Sequence, residues 1–207
     1  MFSLKRLLTQ SAAQLWFLNK NPQKANNIPS ERMLIGNEFQ NYLGEVIFKN
    51  CYKEMGGHVI LHHELIYFSN DFVEKHGRYC VELKYSDSQK PPLWFVQNSL
   101  LQAAIYKACS EECRLLQTAQ FALKQGEERH SVSLNRDLRY FLVMNSTVFE
   151  ITQTDNKRLL EFIKDKIVAI QSLENARIFD ARYKHREFDL LSDSFSYEII
   201  RTPIFSS

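Results

Sequence analysis

The sequence predicts an α/β fold in which a mixed central β-sheet is flanked by helices. Apolar runs bounded by turn signals predict the strands, and longer runs with apolar residues at helical spacing predict the helices. A chain of 207 residues is ordinary for one such domain and can bury a substantial core. Six glycines and five prolines leave few places for linkers, so we expect one domain over residues 1–207.

The apolar-rich run of residues 57–68 is predicted to be the first strand of the sheet. Alternation along that strand would place His62 and Glu64 on one face and His63 on the other. A zinc-type cluster would then need partners that are not identifiable in the sequence.

A hairpin is predicted over residues 70–84. Its turn, Lys75-His76-Gly77, separates two apolar-rich runs, and Gly77 can supply the positive φ that such turns often need. With the turn centred there, Asp71 on the first strand falls roughly opposite Glu82 on the second.

The second strand of this hairpin has two distinct faces. Glu82 and Lys84 share one face, whereas Val81 and Leu83 point to the other, into a core. Paired carboxylates bind Mg²⁺ or Mn²⁺, and a nearby ammonium can orient water or offset charge on a phosphate. The plain alternative is a solvated strand face with a cross-strand charge pair.

Residues 97–108 have helical periodicity, with an Asn or Ser available as N-cap. Gln102 and Tyr106 are four residues apart and therefore lie on one side of the helix. The apolar side that packs on the sheet is predicted to comprise Leu101, Ala104, Ile105 and Ala108.

The last third of the chain reads as supporting architecture. Residues 139–144 and 148–151 are predicted strands around a turn at 145–147, and Asp155-Asn156 is predicted to cap a helix over 157–172. The apolar side of that helix is broad enough to cover a sheet.

The order and spacing of the polar residues resemble the PD-(D/E)xK nuclease superfamily, specifically its RecB-like exonuclease branch. The resemblance implies a restriction-endonuclease-like fold and a metal-dependent nuclease that hydrolyses DNA phosphodiester bonds. It also implies a part in DNA repair, recombination or the processing of foreign or mobile DNA, with RNA not excluded as a substrate. The residues that carry it are Asp71, then Glu82-Leu83-Lys84, then Gln102-x-x-x-Tyr106.

The resemblance implies a role for each of these residues. Asp71 and Glu82 would hold Mg²⁺ or Mn²⁺, and the backbone carbonyl of Leu83 could add a ligand. Lys84 would assist the attacking water, and the two polar residues of the following helix would position the substrate strand or the lysine.

The likeness extends upstream, where residues 1–30 resemble the N-terminal helical extension of RecB-like exonucleases. The matching stretches are Leu8-Thr9-Gln10-Ser11, Leu15-Trp16-Phe17 and Pro22.

The next segment, Gly36 to Gln40, is similar to a glycine-led segment of that family. There a His or Glu four residues after the glycine often completes the metal site, but this chain has Gln40. A glutamine carbonyl can ligate a metal without adding negative charge, so metal affinity should suffer unless Glu38 or Glu45 substitutes. Each of those glutamates can equally be a solvated helix position.

The four cysteines are scattered among apolar residues, which favours a reducing compartment. Some RecB-like relatives hold an iron–sulfur cluster on one early cysteine and a late group of three. Here Asn21 precedes Pro22 and no cysteine follows Cys113, so no cluster is expected. Cys109 and Cys113 are one helical turn apart and could bind metal with two further ligands, but we favour buried free thiols.

A net charge of +2 neither supports nor excludes a nucleic-acid partner. The N-terminal segment is locally basic, and a second basic cluster lies in the predicted helix after Asp155. No secretory signal and no apolar run of roughly 18 residues is present, so we expect a cytoplasmic protein with no membrane partner. The amphipathic N-terminus also resembles a mitochondrial transit peptide, which is the alternative compartment. The N-terminal basic residues are Lys5, Arg6, Lys20 and Lys24.

Three functions are therefore compatible with the sequence. The first is a Mg²⁺-dependent DNA nuclease. The second is a nucleic-acid-binding or assembly protein that keeps the fold but has lost efficient cleavage, as Gln40 suggests. The third is the same fold used only for protein interaction.

Overall fold

The computed structural model describes residues 2–10, 14–16, 18, 31–119, 128–173 and 187–201. Nine strands of these residues form one sheet. The strands are β1 (Phe2–Ser3), β2 (Cys51–Leu61), β3 (Glu64–Glu74), β4 (Tyr79–Lys84), β5 (Leu115–Thr118), β6 (Ser131–Ser133), β7 (Arg139–Met144), β8 (Thr147–Thr154) and β9 (Phe195–Ile200). The helices are α1 (Leu4–Thr9), α2 (Glu31–Val46), α3 (Leu93–Cys113), α4 (Asn156–Gln171) and α5 (Glu187–Leu191).

The sheet is mixed and largely antiparallel, with the strand order β6-β5-β2-β3-β4-β7-β8-β9. β4 runs parallel to β7, and β1 runs parallel to β3, whereas the other neighbouring strands are antiparallel. The predicted α/β class, with a mixed sheet flanked by helices, is therefore confirmed. The β3–β4 hairpin lies near the middle of the sheet, as predicted.

Both sides of the sheet bury apolar residues. Val81 and Leu83 lie in a smaller cluster with Leu43 of α2 and Phe141 of β7. Cys80 lies on the opposite side, in the larger cluster that includes α3 and α4. The alternation predicted for β4 is thus observed.

The helix α3 differs from its prediction in two ways. It begins at Leu93 after Pro92, which makes no side-chain cap, so Asn98 and Ser99 lie inside the helix and not at its start. Leu101 and Ile105 are buried as predicted, yet every residue from 103 to 110 is buried as well. The reason is that α3 is covered by α4 and α5 in addition to the sheet.

The C-terminal elements follow the sequence pattern closely. β7 and β8 have the predicted turn, and Asp155 caps α4 by accepting a hydrogen bond from the backbone N–H of Arg158 at 3.1 Å. The apolar side of α4 is fully buried at Leu159, Ile163, Ile167 and Ile170.

The predicted strand over residues 57–68 is wrong, because the chain reverses direction at His62 and His63. Both residues have positive φ, 49° and 62°, and Leu61 pairs with Glu64 across the turn. Histidine enters this region of φ more readily than most residues, which allows a tight hairpin without glycine. The two histidines are therefore exposed at a turn and do not lie on the faces of a strand.

The N-terminal extension begins with a strand and not with a helix. β1 pairs with β3, and α1 follows it and buries Leu4 and Leu7 in the main core. Residues 14–16 and 18 are helical, and Leu15 is buried. The residues named in the sequence analysis that lie outside the described residues are Ser11, Phe17, Lys20, Asn21, Pro22 and Lys24.

The four cysteines are all free thiols. Cys109 is buried as expected, whereas Cys113, which was expected to be buried as well, is half-buried. In the part of the chain that the structure describes, no helix has the length and apolar character to cross a membrane.

Candidate active site

The site forms where β3 and β4 separate. Their pairing is limited to Phe72 with Val81 and Val73 with Cys80, which is the predicted register. The hairpin turn requires Gly77, because its φ is +71° and a Cβ there would lie 2.1 Å from a backbone oxygen of Ser133. Asp71 is the first residue of β3 beyond the paired region, so its side chain lies at the fork between the two strands.

The carboxylate of Asp71 accepts two hydrogen bonds that hold it in the fork. Its Oδ2 accepts from the backbone N–H of Leu83 at 2.6 Å. Its Oδ1 accepts from Nε2 of Gln40 at 3.4 Å, which brings α2 to the site. A side chain on β3 thus occupies a position where antiparallel strands would otherwise pair through their backbones.

Glu82 is the second carboxylate, and it is buried at 5% exposure. Its Oε1 accepts from Nζ of Lys84 at 2.6 Å and from Nε2 of Gln102 at 2.9 Å. Both bonds use the same oxygen, so Oε2 accepts none from the described residues. Glu82 and Lys84, which were predicted to share one face of β4, are therefore in direct contact, and Gln102 of α3 contacts the same carboxylate oxygen.

Tyr106 lies one helical turn beyond Gln102 and lines the same cavity as Asp71 and Glu82. The residue is only 3% exposed, and burial together with the charges of Glu82 and Asp71 raises the pKa of its hydroxyl well above the usual range. The hydroxyl is therefore a neutral group beside the two carboxylates.

The two carboxylates repel each other in a setting with little water. Burial, and then the charge of Glu82, raise the pKa of Asp71 to about 7, against the opposing effects of Lys84 and the Leu83 N–H. Burial alone would lower the pKa of Lys84, but Glu82 and Asp71 outweigh burial and raise it. Lys84 is therefore an ammonium ion held by the acids.

A cavity of about 320 Å³ contains these groups. It is also lined by two charged residues that the sequence reasoning did not assign to the site, Lys5 of α1 and Glu54 of β2. Lys5 lowers the pKa of Asp71, so its charge acts at the carboxylates. Glu54 has a positive φ of 53°. It lies on β2, opposite Asp71 on the neighbouring strand β3.

Of the three ligand candidates on α2, which are Glu38, Gln40 and Glu45, only Gln40 lines the cavity. Gln40 is 9% exposed, whereas Glu38 and Glu45 are exposed and are absent from the cavity wall. The structure therefore does not bring either glutamate to the acid pair. Both belong to the solvated side of an amphipathic helix, which was the other interpretation.

The donor set suits a hard divalent cation. No group of three or more His, Cys, Asp or Glu side chains is arranged for metal binding among the described residues. Mg²⁺, however, is commonly held by one or two carboxylates with waters and substrate phosphate completing its shell. Asp71 and Glu82 provide two such carboxylates, and Gln40 provides an amide whose oxygen could face the same point after rotation.

Comparisons with known proteins bear on the fold. No protein-family model and no curated protein matches the sequence. A solved structure described as the crystal structure of SSO0001 is similar, with a TM-score of 0.56 and 13% sequence identity. The match covers 90% of this chain and 83% of that chain. At this identity the likeness concerns the fold alone.

Proposed function

We propose that this protein is a metal-dependent nuclease of the PD-(D/E)xK superfamily, RecB-like, with a restriction-endonuclease-like fold. Its substrate would be DNA, with RNA not excluded, in repair, recombination or the processing of foreign or mobile DNA. We place it in the cytoplasm. The observation that carries the proposal is the meeting of Asp71, Glu82 and Lys84 at the fork of two central strands.

Asp71 and Glu82 are the residues that would hold Mg²⁺ or Mn²⁺. A cation bound there would supply the positive charge that activates water and stabilises the charge developing on a phosphate. The close approach of two carboxylates in a buried setting is unfavourable without such a charge, as the raised pKa of Asp71 indicates.

In this proposal Lys84 has two functions, which are to hold the attacking water and to bind a phosphate oxygen. Its ammonium group is fixed by Glu82 at 2.6 Å, so it can hold a water or a phosphate oxygen without a large loss of side-chain freedom. Its side chain is 21% exposed, which leaves it accessible from the cavity.

Gln102 is a positioning residue in this proposal. It donates to the same oxygen of Glu82 as Lys84 does, and this fixes the orientation of the carboxylate. Tyr106, one helical turn beyond Gln102, lines the cavity that holds the two carboxylates. Lys5 adds a second positive charge to the cavity, where a phosphate group would be attracted.

The second candidate is a nucleic-acid-binding protein that has lost efficient cleavage. The observation that favours it is the contact of Gln40, where an amide and not a carboxylate faces Asp71. This site would carry one negative charge fewer than a site with an acid at that position, and its affinity for a divalent cation would be weaker.

A cleavage assay separates the two candidates. Labelled linear and circular DNA would be incubated with the wild-type protein, with Glu82→Ala and with Glu38→Ala, in Mg²⁺, in Mn²⁺ and in EDTA. The nuclease proposal expects cleavage only with a divalent cation, its loss in Glu82→Ala and its retention in Glu38→Ala. Absence of cleavage of any DNA or RNA by the wild-type protein, with DNA binding intact in EDTA, would leave the second candidate.

A further inference from the structure

A second cavity lies on the other side of Lys84 and is not used by the proposed chemistry. Its volume is about 200 Å³, and its wall is mostly apolar. Pockets for whole drug-sized ligands are typically roughly 300–1,000 Å³, so this one suits a smaller flat group. The residues that define it, which we call the aromatic pocket, are Trp94, Phe95, Phe162, Asn98, Lys84 and Gln102.

The aromatic pocket shares a wall with the first cavity, which is lined by Asp71 and Glu82 and which we call the carboxylate cavity. Lys84 lines both cavities, and Gln102 lines the aromatic pocket while it donates to Glu82. The helix α1 spans both as well, because Lys5 lines the carboxylate cavity and Thr9 lines the aromatic pocket. A ligand with its phosphate at Lys84 can therefore place an adjoining group in the aromatic pocket.

The chemistry of the wall indicates what that adjoining group is. Trp94 is 55% exposed although it is a large aromatic residue, and its ring stands at 87° to the ring of Phe95. The pocket thus presents aromatic surface beside the positive charge of Lys84, and aromatic rings beside such a charge are a feature on which nucleobases stack.

One polar atom in this wall has no hydrogen-bond partner among the described residues. Nδ2 of Asn98 is buried and makes no hydrogen bond within the described part of the chain. A buried amide nitrogen without a partner costs free energy, and a ligand with a carbonyl oxygen or ring nitrogen would relieve that cost. Every nucleobase carries such acceptors on its edge.

We infer that the aromatic pocket binds one unpaired nucleobase of the strand whose phosphate lies at Lys84. The inference rests on the proposed function for the identity of the phosphate site. A base within a duplex is stacked and paired on its edge, so it must leave the helix to enter the pocket. The preferred substrate is therefore single-stranded DNA, or an end at which the bases are unpaired.

The test measures binding in EDTA, so that it does not depend on cleavage. The probes are a short single-stranded oligonucleotide, the same strand with an abasic site at each position in turn, and the corresponding blunt duplex. For the wild-type protein we expect one abasic position to weaken binding about five-fold or more, and the blunt duplex to bind more weakly than the single strand.

Variants assign that effect to the pocket. In Trp94→Ala and in Asn98→Ala the intact and abasic strands should bind with nearly equal affinity, whereas Trp94→Phe should keep part of the difference. Leu93→Ala is the matched control, because Leu93 is 71% exposed next to the pocket and does not line it. Thermal unfolding of each variant shows that it is folded.

The outcomes separate this inference from the proposed function. Equal binding of intact and abasic strands by the wild-type protein, at every position, would overturn the inference even if Mn²⁺-dependent cleavage is observed. Unchanged discrimination in both Trp94→Ala and Asn98→Ala would also overturn it. Base-dependent binding that these variants lose, in a protein that cleaves nothing, would support the pocket and reject the nuclease.

Discussion

The backbone N–H of Leu83 donates a hydrogen bond of 2.6 Å to the carboxylate of Asp71, at the point where β3 and β4 separate. One contact therefore does two things. It satisfies a backbone donor that strand pairing no longer satisfies, and it holds an acid beside Glu82. The opening of the sheet and the placement of the acid pair thus have the same structural origin.

We predict that Mn²⁺ or Mg²⁺ raises the unfolding temperature of the wild-type protein and has no effect on Glu82→Ala. A ligand that binds only the folded state adds stability, about 2.7 kcal/mol when its concentration is 100 times its Kd. Differential scanning fluorimetry with and without metal measures this shift. Glu38→Ala should keep the full shift because Glu38 is exposed away from the cavity. An equal shift in Glu82→Ala would reject Glu82 as a ligand.

Lys84→Ala should separate metal binding from catalysis. Lys84 forms a salt bridge with Glu82 but is itself positively charged, so it does not bind the metal. Its removal should therefore leave the metal-induced rise in unfolding temperature largely intact. The cleavage rate should fall by about 10²-fold or more, as for other groups that stabilise charge in the transition state. DNA affinity in EDTA should change little in Glu82→Ala. If Lys84→Ala cleaves DNA at the wild-type rate, the lysine has only a structural role.

Gln40→Glu should strengthen metal binding. The new carboxylate would lie near Asp71, where Gln40 now contacts Oδ1 at 3.4 Å, and would provide a third acidic ligand. In EDTA the same change should lower the unfolding temperature, because it adds a like charge to a buried acid pair. The two effects have opposite signs, and one titration of unfolding temperature against Mn²⁺ shows both.

The matched control for this variant is Glu45→Gln, which changes the charge at an exposed position of the same helix. Its metal dependence should equal that of the wild-type protein. If Gln40→Glu binds Mn²⁺ no more tightly than the wild type does, position 40 is not part of the metal site.

Local signals account for what the sequence predicts about the site. The turn at Gly77 fixes the register of β3 with β4, and side-chain alternation then places Glu82 and Lys84 together. Helical spacing likewise places Gln102 and Tyr106 on one side of α3. All of these relationships span few residues or depend on one turn.

The features that the sequence does not predict depend on distant pairing. Lys5 reaches the cavity because β1 occupies the edge of β3 beyond the fork, a contact between residues far apart in the chain. Glu54 is there because β2 pairs with β3, and that hairpin turns at two histidines without a glycine signal. Neither contact can be predicted from the spacing of apolar residues in the sequence.

The last prediction concerns Glu74, which holds the turn of the β3–β4 hairpin. Its side chain is 1% exposed and accepts hydrogen bonds from the backbone N–H of His76 at 2.9 Å and of Arg78 at 3.2 Å. The Arg78 guanidinium adds a third bond at 3.0 Å. Burial would raise the pKa of this carboxyl, but the three bonds and the charge of Arg78 outweigh burial and lower it.

Because the pKa of Glu74 is lower in the folded state than in the unfolded state, its ionised carboxylate stabilises the fold. This stabilisation is fully present when the pH is above the ordinary pKa of a glutamate. That stability is lost as the pH falls through the folded-state value. Glu74→Gln should therefore lower the free energy of unfolding by about 1–3 kcal/mol at neutral pH. The difference from the wild-type protein should shrink below about pH 4, near the ordinary pKa of glutamate. Urea unfolding at neutral and acidic pH measures both values, with the exposed Glu38→Gln as a control. A difference that stays constant with pH would mean that the charge of Glu74 is not what holds the turn.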